Sequence, residues 1–198
     1  MTRKVQARTL ATRDRLLAAG REIVQAGGME NLRTDEVVLR AGTAKGTFFA
    51  HFPDRDHFLA ALLAESLTAA LADLAPPADR GALMATMDRV FLAFAADAET
   101  VALLARFSGP AGVGLGLDQM ICAVTERLAT GLATMQAQGR VANRAAPEVL
   151  AEGLMALVFH AAASAQCPVL ADGDRLAVRT RAKRLLHQMT DALIWPQV

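Results

Sequence analysis

Apolar residues recur at three- and four-residue spacing along nearly the whole chain, and no segment alternates as a half-buried strand does. The pattern predicts an all-α protein of about nine helices. The first spans 12–26, with Leu16, Leu17, Ile23 and Val24 on its inner face, and Gly27 and Gly28 end it. Leu32 then plugs a small core from the loop. Thr34 reads as an N-cap, with Asp35 and Glu36 in the first turn where the helix dipole favours anions. That helix covers 34–41 and stops at Gly42. A second short helix starts near Ala44 and carries 45–51. Pro53 breaks it and Asp54 recaps the chain.

The next helix is long, reaching Leu74, with Phe58, Leu59, Leu62, Leu63, Leu67, Leu71 and Leu74 on one stripe. Pro76 and Pro77 end it. Further helices are predicted over 79–96, 99–107, 118–138, 146–166 and 174–194. A Gly-rich loop covers 109–116, and Pro147 sits in a first turn that suits it.

Composition sharpens the picture in two places. Of 198 residues 53% are hydrophobic, but 42 are Ala and only 5% are aromatic, so the apolarity builds helices and argues against a β-sandwich, a barrel or disorder. The uncharged stretch 153–171 reads as a helix covered on two sides rather than a membrane span, since it holds His160, Ser164, Gln166 and Pro168. The net charge of +1 conceals a split: residues 1–57 hold ten Lys/Arg against seven Asp/Glu, and 58–198 hold eleven against thirteen. A basic head on a mildly acidic body is the electrostatic arrangement of a nucleic-acid binder. The domains are accordingly placed at 1–57 and 58–198. Cys122 and Cys167 match neither a disulfide framework nor a zinc motif and read as buried thiols. No apolar segment follows Arg3, Lys4 and Arg8, so a secretion signal is not expected and the location is cytoplasmic.

The segment TDEVVLRAGTAKGTFFAHF, residues 34–52, is two short helices joined by a tight turn at Ala41-Gly42-Thr43. Val37, Val38, Ala41, Phe48 and Phe52 lock them at a steep angle, which is helix-turn-helix geometry. Lys45 supplies a cation for a phosphate or a guanine edge, Gly46 lets the backbone approach closely, and Thr47 offers a hydroxyl and a methyl to base edges. His51 and Arg55 lie one and two turns further on, where they can hold phosphates. Arg3, Lys4 and Arg8 form a basic arm.

Residues from about 13 to 63 resemble the DNA-binding domain of TetR-family transcriptional regulators. The likeness rests on AGTAKGTFFAHFPDRD, residues 41–56, and covers about a quarter of the chain. Three positions depart from the family pattern: Phe49 replaces a Tyr that donates to a phosphate, Ala44 replaces a Ser ahead of Lys45, and Val37-Val38 replaces Ile-Ala. Without that Ser, Thr43 must cap the recognition helix, or nothing does. The resemblance implies a DNA-contacting set of Arg33, Thr34, Thr43, Ala44, Lys45, Gly46, Thr47, Phe49, His51 and Arg55. It implies a repressor that binds a palindromic operator as a homodimer and is released by a small hydrophobic or amphipathic effector.

A dimer face is expected on the last two helices, at Gly153, Leu157, Ala161, Ala165, Leu185, Met189 and Leu193, with a strip of small residues allowing close approach. An effector pocket is expected among large deformable side chains: Met84, Met87, Phe91, Phe94, Phe107, Met120, Met135, Met155 and Phe159, with His160. No enzyme is expected, since HExxH and CxxC pairings are missing and the Gly-rich loop lacks the Lys-Ser/Thr of a phosphate loop. No cofactor or metal is expected. The alternative reading is a helical ligand-binding or adaptor protein whose DNA binding has degenerated.

Overall fold

The computed structural model describes residues 2–167 and 174–195. Among them are nine α-helices and two short 3-10 turns, and no strand. The helices are α1 (Thr2–Gly27), α2 (Thr34–Arg40), α3 (Lys45–His51), α4 (Arg55–Ala70), α5 (Arg80–Phe94), α6 (Ala98–Phe107), α7 (Leu117–Ala137), α8 (Pro147–Ala165) and α9 (Arg175–Ile194). The 3-10 turns are Met29–Asn31 and Pro110–Gly112. Every predicted helix forms, and most ends shift by one or two residues. The exceptions are α4, which ends at Ala70 rather than reaching Leu74, and α1, which begins about ten residues early. No Gly or Pro precedes Thr12, so nothing stops the helix from running back through the expected arm.

The head is α1, α2, α3 and the start of α4, closed over Leu16, Leu17, Ile23, Leu32, Val37, Phe48, Phe52 and Phe58, each at most 4% exposed. Phe58 of α4 stacks edge-on against Phe52, with ring centres 4.8 Å apart, and lies 5.1 Å from Phe48. The Arg13 guanidinium covers the other side of Phe52 at 4.9 Å. Asp54 caps α4 by accepting the His57 backbone N–H at 2.8 Å. At Gly20 a Cβ would stand 2.6 Å from the Phe58 ring, so glycine is what allows α1 to lie this close to α4.

In the body α8 is central: it packs on α5, α7 and α9. Leu150, Leu154, Met155 and Val158 meet Leu83, Met87 and Phe94 of α5 and Leu128, Leu132 and Met135 of α7 in one continuous core. Pro77, after α4, presses on α7 where Gly131 leaves room; a Cβ there would lie 2.4 Å from the proline ring.

Head and body are joined by more than the continuity of α4. The Arg55 guanidinium donates to the Met29 carbonyl at 2.7 Å, to the Leu32 carbonyl at 3.0 Å and to Glu99 of α6 at 3.0 Å. Arg106 of α6 pairs with Asp56 of α4. The His57 ring meets Phe107 edge-on at 4.9 Å. The body element α6 is therefore fastened to the first turn of α4, directly beneath the head.

Candidate nucleic-acid interface

The recognition element is α3, held by Phe48, which is fully buried among Phe52 and Phe58. The turn before it needs Gly42, whose φ of +59° is left-handed. With Phe48 inward, Lys45, Gly46, Phe49 and Ala50 are exposed and Thr47 is half-exposed. A shallow cleft beside the helix is lined by Arg33, the N-cap of α2, by Thr34 and Asp35 of α2 and by Lys45 and Phe49 of α3, with Glu30, Leu32 and Arg55 at its edge, so positions from two helices and the loop before them converge on one surface. His51 sits at the far end of α3, half-buried against Phe52.

The local chemistry is mixed. Lys45 Nζ rests 2.7 Å from Asp35 Oδ1, with both side chains more than half exposed, so this cation has an internal competitor for phosphate. Phe49 presents an apolar ring, 47% exposed, that cannot donate a hydrogen bond to a phosphate. Leu39 on α2 is 80% exposed. The amides of Lys45 and Gly46 open α3 and have no helical acceptor.

Two expectations at this site need correction, and one alternative is decided. Arg55 is not a free phosphate ligand, because two backbone carbonyls and Glu99 engage its fork. Thr34 is the first helical residue of α2, and Arg33 occupies the N-cap without a side-chain bond. Of the two options left for capping α3, it is the second that holds: Ala44 is the N-cap, no side chain caps the helix, and the Thr43 hydroxyl is buried without a partner among the described residues.

The expected effector pocket is packed core. Met87, Phe91, Phe94, Phe107 and Met135 are at most 1% exposed, and Met120 and Met155 are buried. Met84 and Phe159 are half-buried, and Phe159 leans on Phe94 at 5.0 Å. His160 is exposed, 3.5 Å from Ser164. None of these lines the cavity of about 720 Å³ that opens between head and body. That cavity escaped the sequence reading because Ala69, Ala70, Ala93 and Ala96 form much of its wall by being small.

The small-residue strip on α8 also faces inward. Ala161 and Ala165 are buried in the chain's own core, and Gly153 admits Leu193 of α9. Leu157 and Leu193 are half-buried. The outward surface carries Val149 at 60%, Leu185 at 41% and Met189 at 46% exposure, with Ala156 and His160. By length and composition α8 is apolar enough to cross a membrane, yet only 44% of its most apolar window is buried in the chain. Cys122 is exposed rather than buried, and Cys167 is half-buried. Among the described residues no three His, Cys, Asp or Glu side chains converge as a metal site. The Arg3, Lys4 and Arg8 positions lie in α1, and Pro168 and residues 169–171 fall outside the described residues.

Residues 16–62 match the family of bacterial regulatory proteins known as tetR. No curated protein matches the chain in sequence. Among solved structures, GusR of Salmonella enterica superposes with a TM-score of 0.56 at 19% identity, covering 93% of this chain and 96% of that one. FadR of Bacillus subtilis, solved with stearoyl-CoA, gives 0.55 at 13% identity over 93% and 98%. SmeT of Stenotrophomonas maltophilia, the repressor of a multidrug efflux pump, gives 0.56 at 19% over 96% of each chain. At these identities the likeness is one of fold, and it extends across head and body together.

Proposed function

We propose that this chain, a TetR-family regulator by its head and by its fold, is a cytoplasmic repressor that binds a palindromic operator as a homodimer and is released by a small molecule. One observation carries the DNA reading: Arg33, Thr34, Lys45 and Phe49 gather on one exposed surface around a helix that Phe48 fixes rigidly from behind. A side-chain platform held this way suits insertion into a major groove. Within it Lys45 takes a phosphate or a guanine edge, Thr47 a base edge, and Phe49 an apolar contact such as a thymine methyl.

The dimer reading is supported by the outward face of α8 and α9. Val149, Ala156, Leu185 and Met189 leave an apolar surface open on a helix pair whose inner side, through residues such as Leu154, Val158, Ala182 and Leu186, is buried in the core. Covering it with the same face of a second copy is the isologous solution, and two heads then match two half-sites. Expected interface positions are Leu157, Leu185, Met189 and Leu193, while Ala161 and Ala165 serve the chain's own packing.

Release requires an effector that prefers one head placement over another. The fastening of α6 to α4 through Arg55–Glu99 and Arg106–Asp56 offers the mechanical link. A body shape that moves α6 tilts α4, and α4 carries Phe58, the floor of the head. The reaction surface of an enzyme has no part in this scheme.

The test is selection of duplexes from a random pool by the full chain, followed by titration of the winner at several salt concentrations. The expected result is a two-fold symmetric site whose affinity falls steeply with salt. Recovery of no sequence, with weak binding to any duplex, would overturn the repressor reading in favour of a ligand binder that has lost DNA.

A further inference from the structure

The cavity between head and body has about 720 Å³, within the range of small-molecule sites. Its floor is apolar, formed by Leu62, Leu63 and Leu67 of α4 with Val24 and Met29 of the head. Three carboxylates border it, from Glu30, Glu65 and Asp97, against the one guanidinium of Arg21. Arg21 is already matched, with Nη1 2.5 Å from Glu65 Oε2. Asp97 accepts the Thr100 backbone N–H at 2.6 Å, which satisfies one oxygen but leaves the charge. Glu30 has no hydrogen bond or ion pair among the described residues, and its carboxylate folds over Gly28.

Asp97 sits at the N-terminus of α6, whose dipole answers part of its charge, and Glu30 also borders the cleft of Arg33 and Lys45, yet the lining as a whole carries three carboxylates against one guanidinium at the edge of an apolar hollow. An anion is repelled there, and a neutral apolar molecule leaves the net negative charge unanswered. A cation with hydrophobic bulk satisfies floor and rim at once. We propose that this cavity binds an amphipathic organic cation, such as a quaternary ammonium or phosphonium with apolar substituents.

The occupant lies against α1 and the Met29–Asn31 turn on the head side, and against α4 and the α5–α6 junction on the body side. Its affinity therefore depends on how head and body are set against each other. In regulatory consequence the site rests on the effector reading above; binding itself requires no DNA.

Titration calorimetry of the full chain without DNA tests it, using tetraphenylphosphonium and the same-shaped anion tetraphenylborate. The cation is expected to bind once per chain, and the anion at least about tenfold more weakly. Glu30→Gln should weaken the cation about threefold to fivefold, the size of one partly screened charge. Ala70→Trp fills the cavity from its exposed edge and should abolish binding, with thermal melting confirming that both variants fold. Equal affinity for the two ions, no binding of the cation, or full binding to folded Ala70→Trp overturns the proposal. Cation binding by a chain that selects no duplex would refute the repressor reading alone; operator binding without cation binding would refute this site alone.

Discussion

Gly46 separates what the fold requires from what DNA requires. Its backbone is ordinary helix, and a Cβ built on it would meet nothing within 4 Å. The free chain therefore gains nothing from a glycine there, unlike Gly42, whose φ of +59° excludes other residues cheaply. Gly46→Ala should stabilise the chain by about 0.5 kcal/mol, the lower end of the helical Gly-to-Ala difference because the site is in the first turn. For a protein of this size that raises Tm by about 1–2 °C. On DNA the sign reverses. If Gly46 is the point where the backbone approaches the duplex, the added methyl forces a retreat costing about 1–2 kcal/mol, roughly a tenfold loss of operator affinity. Thermal unfolding measures the first effect and fluorescence anisotropy on the selected duplex the second. A variant that melts higher and binds the operator as tightly as the parent refutes the close approach at Gly46, and with it this placement of α3 in the groove.

Asp35→Asn removes the carboxylate 2.7 Å from Lys45 and should tighten operator binding a few-fold, most at low salt, with under about 1 kcal/mol of change in stability; anisotropy titrations show it, and weaker binding would mean that Asp35 orients Lys45 productively. Arg55→Lys loses the planar fork to Met29, Leu32 and Glu99 and should cost about 1–3 kcal/mol in urea unfolding. The salt slope of DNA binding should stay unchanged, whereas a slope smaller by about one would restore Arg55 as a phosphate ligand. Leu185→Glu with Met189→Glu should leave a folded monomer in sedimentation, since both side chains are exposed in the single chain; a persistent dimer moves the interface elsewhere. Burial pushes the Asp54 carboxyl up, but hydrogen bonds from the His57 backbone and ring outweigh it and hold its pKa below the ordinary carboxylate value. Its folded pKa is thus below its unfolded one, so its stabilisation is complete above the carboxylate range and is lost as pH falls through the folded value. The stability gap between wild type and Asp54→Asn should therefore shrink on acidification, and a gap that stays constant into strong acid contradicts it.

How far the sequence could be read depends on the range of the interaction concerned. Helix positions follow from periodicity and from caps a few residues away: Asp54 over His57, Gly42 with its positive φ, Pro147 in a first turn. The recognition motif is likewise local, which is why α3 and its exposed face were legible. Arg55 was misread because its partners lie 23, 26 and 44 residues away. A cation near a basic motif looks like a phosphate ligand until the Met29 carbonyl of the 3-10 turn and the Leu32 carbonyl just after it are seen aimed at it. The small-residue strip on α8 failed for a related reason. Periodicity shows that Ala161 and Ala165 share a side of the helix, but which neighbour that side meets is set by α5, α7 and α9 together.

The open cavity has the most instructive origin. Large deformable side chains fill space, and most of the expected pocket residues do so: Met87, Phe91, Phe94, Phe107, Met120, Met135 and Met155 are core. Room for a ligand arises where side chains are small at a junction between units, as at Ala69, Ala70, Ala93 and Ala96. In a chain with 42 Ala, composition alone cannot tell an alanine that packs from one that leaves a gap. The distinction depends on the docking of α1 on α4, which Gly20 permits and the Arg21–Glu65 pair holds, and on the fastening of α6 to α4 by Arg55 and Arg106. The Arg21–Glu65 pair that ties α1 to α4 also borders the cavity, so the proposed occupant would act on the head's placement without needing a path through the packed core.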